Sequence, residues 1–203
     1  DPPKGGWEAH CRILNAHESF RDLILRRPRQ DGGVSYVSMS GEPYFDARGA
    51  FLGYRGIGRD ITKQKLNEAK TSRLARFDPL TNLYNRTAFF ERLNHALAVA
   101  RRHDRAIALL FVDLDRFKVV NDTCGHVAGD ELLRQLGHLL QARVRSVDVV
   151  ARLGGDEFAV LLQNCALNDA LQVANGVLKA IADFQFVWGQ NTFNLGVSIG
   201  LVA

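Results

Sequence analysis

Two short clusters place carboxylates where a fold could bring them together. The apolar run 107–112, Ile-Ala-Leu-Leu-Phe-Val, reads as a strand and ends in Asp113-Leu114-Asp115. Further along, Gly154-Gly155-Asp156-Glu157 forms a tight turn between two strand-like runs, 148–153 and 157–162. Paired glycines let a hairpin tip take positive φ and let a ligand approach the backbone closely. If the strand ending at Asp113 lies beside the strand that begins at Glu157, Asp113 and Asp156 meet at one sheet edge. Hard oxygen ligands with positions left open suit Mg2+ or Mn2+ shared with phosphate oxygens. Two-metal phosphoryl transfer is the chemistry such an edge supports.

A third cluster, Asn121-Asp122-Thr123-Cys124-Gly125-His126, is followed by Gly129-Asp130 at the start of a helical pattern. Guanine presents N–H donors on one edge and acceptors on another. A carboxylate matches the donors and an amide an acceptor, so Asp130 with Asn121 suits guanine better than adenine. Lys118 lies between the clusters and could meet phosphate charge. Each residue also has an ordinary reading: Asp130 as a helix N-cap, Asn121 as a turn former, Lys118 as a solvated charge, Gly154-Gly155 as a plain hairpin.

These clusters need a scaffold that brings strand ends together. From Asp78 the pattern runs helix (85–103), strand (107–112), helix (129–143), strand pair (148–153, 157–162), helix (168–184) and strand (193–202). Strand, helix, two strands, helix, strand is the ferredoxin-like order, with helices on one face of an antiparallel sheet. Residues 60–77 lack Gly and Pro and are rich in Lys, Ala, Leu and Glu, which predicts a helix. Ile61, Leu66, Ala69 and Leu74 form a broken apolar seam on it, compatible with a dimeric coiled coil or a plain connector. Upstream, residues 19–25 suggest a short helix and Val34–Ser38 a strand after the turn Asp31-Gly32-Gly33. Residues 46–62 suggest a hairpin turning at 47–49.

The net charge of +4 divides unevenly. Residues 1–105 hold 19 Lys/Arg against 12 Asp/Glu, whereas residues 106–203 hold 7 against 10. The excess is local to the 55–76 stretch, a pattern of a solvated helix face, so nucleic acid is not an expected partner. Cys11, Cys124 and Cys165 are scattered and form no CxxC pair, which argues against zinc or a disulfide framework and for a reduced, cytoplasmic setting. The first residues, Asp1 to Gly6, contain no apolar core of a signal peptide, and no apolar run is long enough to span a membrane.

Three stretches in register carry a resemblance: 78–86 (Asp-Pro-Leu-Thr-Asn-Leu-Tyr-Asn-Arg), 111–130 (Phe-Val-Asp-Leu-Asp-Arg-Phe-Lys through Gly-Asp) and 152–158 (Arg-Leu-Gly-Gly-Asp-Glu-Phe). Over residues 78–203 the chain resembles the GGDEF diguanylate cyclase family. The resemblance implies a homodimeric enzyme that condenses two GTP into cyclic di-GMP. It implies that Asp113, the Leu114 carbonyl and Asp156 hold Mg2+ or Mn2+, and that Asp156 or Glu157 is the base for the 3′-hydroxyl. Asn121 and Asp130 would read guanine, Gly154 and Gly155 would line the substrate, Lys118 would steady phosphate charge, and His126 would lie near the nucleotide. Arg145 and Asp148, an RxxD just upstream of the hairpin, match the family's product-binding inhibitory site. Asn82 stands where the family usually has Gly, and Thr87 where a second Arg is common. The family also continues past Ala203 with a helix and strand bearing basic residues, so this stretch is expected to lack part of the triphosphate site.

Residues 7–62, ending Gly-Tyr-Arg-Gly-Ile-Gly-Arg-Asp-Ile-Thr before a charged helix, resemble the closing part of a PAS sensor domain. The expectation is therefore an α+β chain. Residues 1–62 are the C-terminal part of an α/β PAS domain, 63–77 a linker helix, and 78–203 a ferredoxin-like, palm-like GGDEF domain. A GGDEF module that binds GTP or cyclic di-GMP without turnover is the alternative. A P-loop GTPase is excluded by the absence of a GxxxxGK[ST] run.

Overall fold

A computed structural model describes residues 6–203. The expectation about a signal peptide falls almost wholly outside them. Among the described residues, no helix is long and apolar enough to cross a membrane. The chain divides into two compact units, one ending at Thr71 and one from Ser72 to Ala203.

The first unit opens with α1 (Gly6–Asn15), followed by β1 (Phe20–Pro28), β2 (Val34–Phe45) and β3 (Phe51–Asp60) in one antiparallel sheet of order β1-β2-β3. Asp46 builds the β2–β3 turn, its Oδ1 accepting from Arg48 N at 2.9 Å and Ala50 N at 2.8 Å. The helix expected at 19–25 is instead the start of β1. Its apolar residues, Phe20, Leu23 and Ile24, have helical spacing because the register shifts between Phe20 and Leu23, where Asp22 takes φ +52°. An inserted residue of this kind makes a strand's apolar positions imitate a helix. The Tyr54 hydroxyl donates to the Glu18 carbonyl at 3.0 Å and ties the chain leaving α1 to the sheet.

Helix α2 (Thr62–Arg76) forms where Lys, Ala and Glu favour it. The Asp60 carboxylate accepts from Thr62 N at its start. None of its residues is buried, and Leu66 and Leu74 are exposed.

In the second unit, α3 (Arg86–His103) is capped by Asn85, whose side chain accepts from Ala88 N at 2.9 Å. Then follow β4 (Ile107–Asp115), α4 (Phe117–Cys124), α5 (His126–Ala142), β5 (Val149–Gly154), β6 (Glu157–Gln163) and α6 (Leu167–Ala182). The hairpin β7 (Gln185–Trp188) and β8 (Asn191–Asn194) and the strand β9 (Gly196–Val202) complete it. The main sheet has the order β5-β6-β4-β9, all antiparallel, which is the ferredoxin-like arrangement.

The expectation of helices on one face is corrected. Leu110, Val112 and Leu114 of β4 pack with Leu132, Leu136 and Leu140 of α5 and Val177 and Ile181 of α6. Phe89 and Ala96 of α3 cover the other face against Val149, Ala151, Ala159 and Leu161. The run Phe158–Leu162 in β6 is therefore buried without alternation. Two further differences have local causes. Gly125, at φ +81°, ends α4 and begins α5, so the expected helix at 129–143 starts at His126 and a separate helix precedes it. The expected strand 193–202 is divided at Leu195, which is buried, between the small β7–β8 sheet and β9.

Residues 77–85 form a wide turn sewn to β5. Tyr84 N donates to Val150 O at 3.3 Å, and Arg152 N donates to Tyr84 O at 3.0 Å. Asn82 takes φ +59°, which explains how it substitutes for glycine there, since Asn tolerates the left-handed region. Asp78 accepts at Oδ1 from Thr81 N (2.9 Å), Thr81 Oγ1 (2.7 Å) and Arg152 Nη1 (3.1 Å). Burial raises the Asp78 pKa, but the Thr81 hydroxyl and amide and the Arg152 guanidinium outweigh it and hold the carboxyl below its ordinary range. A carboxyl that binds its proton less well folded than unfolded stabilises the fold above the ordinary carboxylate pKa, about 3.9. That stability is lost as the pH falls through this value toward the depressed one. Asp78→Asn is expected to cost about 1–3 kcal/mol at neutral pH. Urea denaturation from pH 7 to pH 3 should show the difference from the wild type shrinking at the acid end. A difference independent of pH would show that the Asp78 charge contributes nothing.

Candidate active site

Pairing of β4 with β6 sets Asp113 opposite Glu157. The β5–β6 turn closes with Gly154 paired to Glu157, leaving Gly155 and Asp156 as its central residues. Gly155 takes φ +52°, a positive value at the first central position, which glycine adopts without strain. Asp113, Asp156 and Glu157 are thus gathered at one end of the β4–β6 pair. Leu114 is 2 % exposed with its side chain in the core, so only its carbonyl could serve a ligand.

The Asp113 carboxyl binds its proton more tightly than an ordinary carboxyl. Partial desolvation is the largest cause, followed by the negative charges of Asp156, Glu157 and Asp115. Ser198 Oγ donates to Asp115 Oδ1 at 2.9 Å across the β4–β9 pairing and holds that carboxylate in place. Among the described residues no three His, Cys, Asp or Glu side chains converge to hold a metal by themselves. Crowded, mutually repelling carboxylates with too few ligands for a closed cage fit a divalent cation that completes its shell with phosphate oxygens.

Between β4 and α4, Arg116 takes φ +62° and ψ +24° and supplies no side-chain cap. The first amides of α4 are left without intrahelical partners, a donor arrangement that suits anions. Lys118 stands exposed in the same turn. The sequence reading missed Arg116. Its signal would have been the abrupt turn needed between an apolar strand and a helix with no Ser, Thr, Asn or Gly at the junction.

At the α4–α5 corner, Asn121 is no turn former: it lies within α4, against Gly129. A Cβ at Gly129 would collide with Asn121 Oδ1, so glycine is required by close approach. Asn121 Oδ1 is buried without a hydrogen-bond partner among the described residues. Such an acceptor costs about 1–3 kcal/mol unless a ligand donates to it. Asp130 is exposed and is not an N-cap, because Gly125 occupies that position. His126 opens α5 and is exposed. Asn191 Nδ2 of β8 reaches Cys124 Sγ at 3.4 Å and braces this corner.

Arg145 and Asp148 lie at the opposite end of β5 from the hairpin. Asp148 Oδ2 accepts from Arg145 N and Oδ1 from Gln163 N, both at 3.0 Å. Among the described residues the two side chains form no ion pair, so the guanidinium of Arg145 is left exposed beside a cavity of about 640 Å3. Tyr84 and Arg92 share its lining, with the Arg92 guanidinium 4.1 Å from the centre of the Tyr84 ring.

Comparison with known proteins adds three findings. The family described as "Diguanylate cyclase, GGDEF domain" matches residues 75–203. The probable diguanylate cyclase DgcE of Escherichia coli is 38% identical over 89% of the chain, and the diguanylate cyclase TpbB of Pseudomonas aeruginosa is 33% identical over 92%. The chain spans only 16% and 42% of those proteins. Among solved structures, the coiled coil and GGDEF domain of DgcB from Caulobacter crescentus, in complex with c-di-GMP, aligns with a TM-score of 0.64. It does so at 27% identity, over 70% of this chain and 75% of that one.

The raised pKa of Asp113 generates a prediction. An acid whose folded pKa is raised is destabilised when ionised, so the penalty is present at neutral pH and disappears as the pH falls through the raised value. Asp113→Asn should therefore melt above the wild type at pH 7 in chelator, with the gap closing toward acid. It should also lose any stabilisation that Mg2+ with GTP gives the wild type. A variant melting at or below the wild type at pH 7 would show that the cluster is not under repulsion.

Proposed function

The chain belongs to the GGDEF family of diguanylate cyclases, and from that premise we propose that it condenses two GTP into cyclic di-GMP and two pyrophosphate. The observation that carries the reading is Asp113 facing Glu157 across β4 and β6, beside a Gly154–Phe158 run that retains both glycines and both carboxylates.

Asp113, the Leu114 carbonyl and Asp156 would hold Mg2+ or Mn2+. Bound there, the cation supplies charge neutralisation at the phosphate oxygens. Asp156 or Glu157 accepts the proton of the 3′-hydroxyl as that oxygen attacks the α-phosphate of the second GTP. The pyrophosphate leaves with the bond pair. Lys118 and the first amides of α4 balance triphosphate charge. Asn121 and Asp130 select guanine, the buried Asn121 acceptor taking a donor from the base, and His126 stands close to the nucleotide. Gly154 and Gly155 let the substrate approach the hairpin backbone. One site presents one nucleotide, so the reaction needs two subunits facing each other, and catalysis rests on positioning and charge stabilisation.

The α1 helix, the three-stranded sheet and the charged α2 that follows support reading residues 1–62 as the closing part of a PAS sensor. Helix α2 then serves as its link to the catalytic unit. The three cysteines are free, which supports a reducing, cytoplasmic setting. Arg145, whose guanidinium is exposed, would bind the guanine edge or phosphate of the product and slow turnover.

Incubation with GTP and Mg2+ followed by mass spectrometry should show cyclic di-GMP, and Asp156→Ala should abolish it without unfolding the protein. GTP binding without product in the wild type would instead favour a binding module. Equal calorimetric affinity for ATP and GTP would remove the base-reading role of Asn121 and Asp130. Added cyclic di-GMP should inhibit the wild type, and Arg145→Ala should relieve that inhibition at unchanged initial rate. Identical inhibition curves would place any feedback elsewhere.

A further inference from the structure

Strand β9 flanks β4 on the side away from the β5–β6 hairpin, because the sheet order is β5-β6-β4-β9. Asp113 therefore has Glu157 of β6 on one side and Ser198 of β9 on the other. Asp113 and Asp115 are two residues apart on an extended strand, so their side chains leave the same face, and both are exposed. Two residues of strand span roughly 7 Å, a separation from which two carboxylates can reach one cation. Partial desolvation, then the charges of Asp156, Glu157 and Asp115, raise the pKa of Asp113, so Asp115 acts at close range. The carboxylates nevertheless do not converge. Among the described residues, no three His, Cys, Asp or Glu side chains are placed to hold a metal together.

Asp115 is kept apart by β9. Its Oδ1 accepts from Ser198 Oγ at 2.9 Å, a bond between residues 83 apart in the chain. Its Oδ2 lies over Gly196, its register partner, where a Cβ would come within 2.7 Å of that oxygen. Gly196 does not take a positive φ, so it is space rather than backbone conformation that calls for glycine there. Glycine supplies the room and serine the bond, and the carboxylate rests on the β9 side of β4, away from Asp156 and Glu157.

The number of carboxylates at such an edge decides which cation it prefers. Ca2+ accepts more oxygen ligands in looser geometry and gains affinity with added ligand charge. Mg2+ holds a strict octahedral shell, takes few carboxylates and leaves positions to water and phosphate oxygens. We propose that Ser198 and Gly196 are positioning residues that set the cation preference of the site. By seating Asp115 on β9 they limit the protein's ligands to Asp113, Asp156 and the Leu114 carbonyl. Positions are thereby kept open for phosphate, and Ca2+ is disfavoured relative to Mg2+. The inference rests on the reading of the Asp113–Asp156 edge as the cation site.

The test titrates Ca2+ and Mg2+ calorimetrically, without nucleotide, into the whole chain. It compares the wild type with Ser198→Ala, Ser198→Thr and the double variant Ser198→Ala with Asp115→Asn. Loss of the hydroxyl frees Asp115, so Ser198→Ala should bind Ca2+ on the order of three- to tenfold more tightly, the scale of one competing hydrogen bond. The gain for Mg2+ should be smaller. Threonine keeps the hydroxyl and should leave Ca2+ affinity as in the wild type. The double variant should lose the gain, because the added ligand is gone. In turnover with GTP and Mg2+, Ca2+ should inhibit Ser198→Ala at a lower concentration than the wild type. Gly196→Ala, whose Cβ displaces Asp115 by contact, should shift Ca2+ affinity in the same direction and takes the place of Ser198→Ala should that variant fail to fold. Unchanged Ca2+ affinity in a folded variant, or a gain that survives Asp115→Asn, would overturn the proposal. If the wild type forms no product from GTP, the cyclase reading fails, and the nucleotide-free titrations still decide whether Ser198 withholds Asp115 from a cation.

Discussion

Antiparallel pairing of β4 with β6 is the constraint on which the rest of the second unit depends. Side chains alternate across a sheet, so a slip of one residue would turn Leu110, Val112 and Leu114 out of the α5–α6 core and turn Asp113 into it. Burying Asp113 and exposing those three apolar side chains makes that slip prohibitive. The same register that fills the core sets Asp113 opposite Glu157. Core packing and the gathering of carboxylates are consequences of one alignment.

The site is built from features that each cost the fold something. Partial desolvation and the charges of Asp156, Glu157 and Asp115 raise the pKa of Asp113. Arg116 takes positive φ, and Asn121 buries an acceptor that no group among the described residues satisfies. Costs of this kind persist where surrounding structure over-determines them, and they concentrate where a ligand would relieve them. A cation, a row of phosphate oxygens and a guanine edge would relieve the repulsion, the empty amides and the orphaned acceptor respectively.

The second unit also separates its tasks along the chain. Asn121 and Asp130 lie at the α4–α5 corner, carboxylates on the β4–β6 edge, and Arg145 at the far end of β5. The wide turn at 77–85 touches two of these regions. It borders the cavity beside Arg145 through Tyr84 and reaches the hairpin through Asp78 and Arg152.

Much of this was legible in the residues alone. The apolar run 107–112 and the Gly154-Gly155 turn announced two strands and a hairpin, and their alternation with helices announced the antiparallel order, because periodicity is local. The residue types of Asp113, Asn121, Asp130 and Asp156 suggested the chemistry proposed for them for the same reason. What tertiary structure decided was everything set by contact between distant segments. The helical spacing of Phe20, Leu23 and Ile24 hid a strand, since only pairing with β2 reveals the inserted residue. The covering of the sheet's second face by α3 required knowing which strands end up central. Nothing in the sequence around Gly129 signals its contact with Asn121, which the packing of α4 against α5 makes. The bonds of the Asp148 carboxylate to the backbone amides of Arg145 and Gln163 could not be read from the RxxD spacing. The bond from Arg152 to Asp78 spans 74 residues, and no local pattern encodes it. Sequence fixes which groups are present and what each could do; the long-range pairing of strands decides which of them meet.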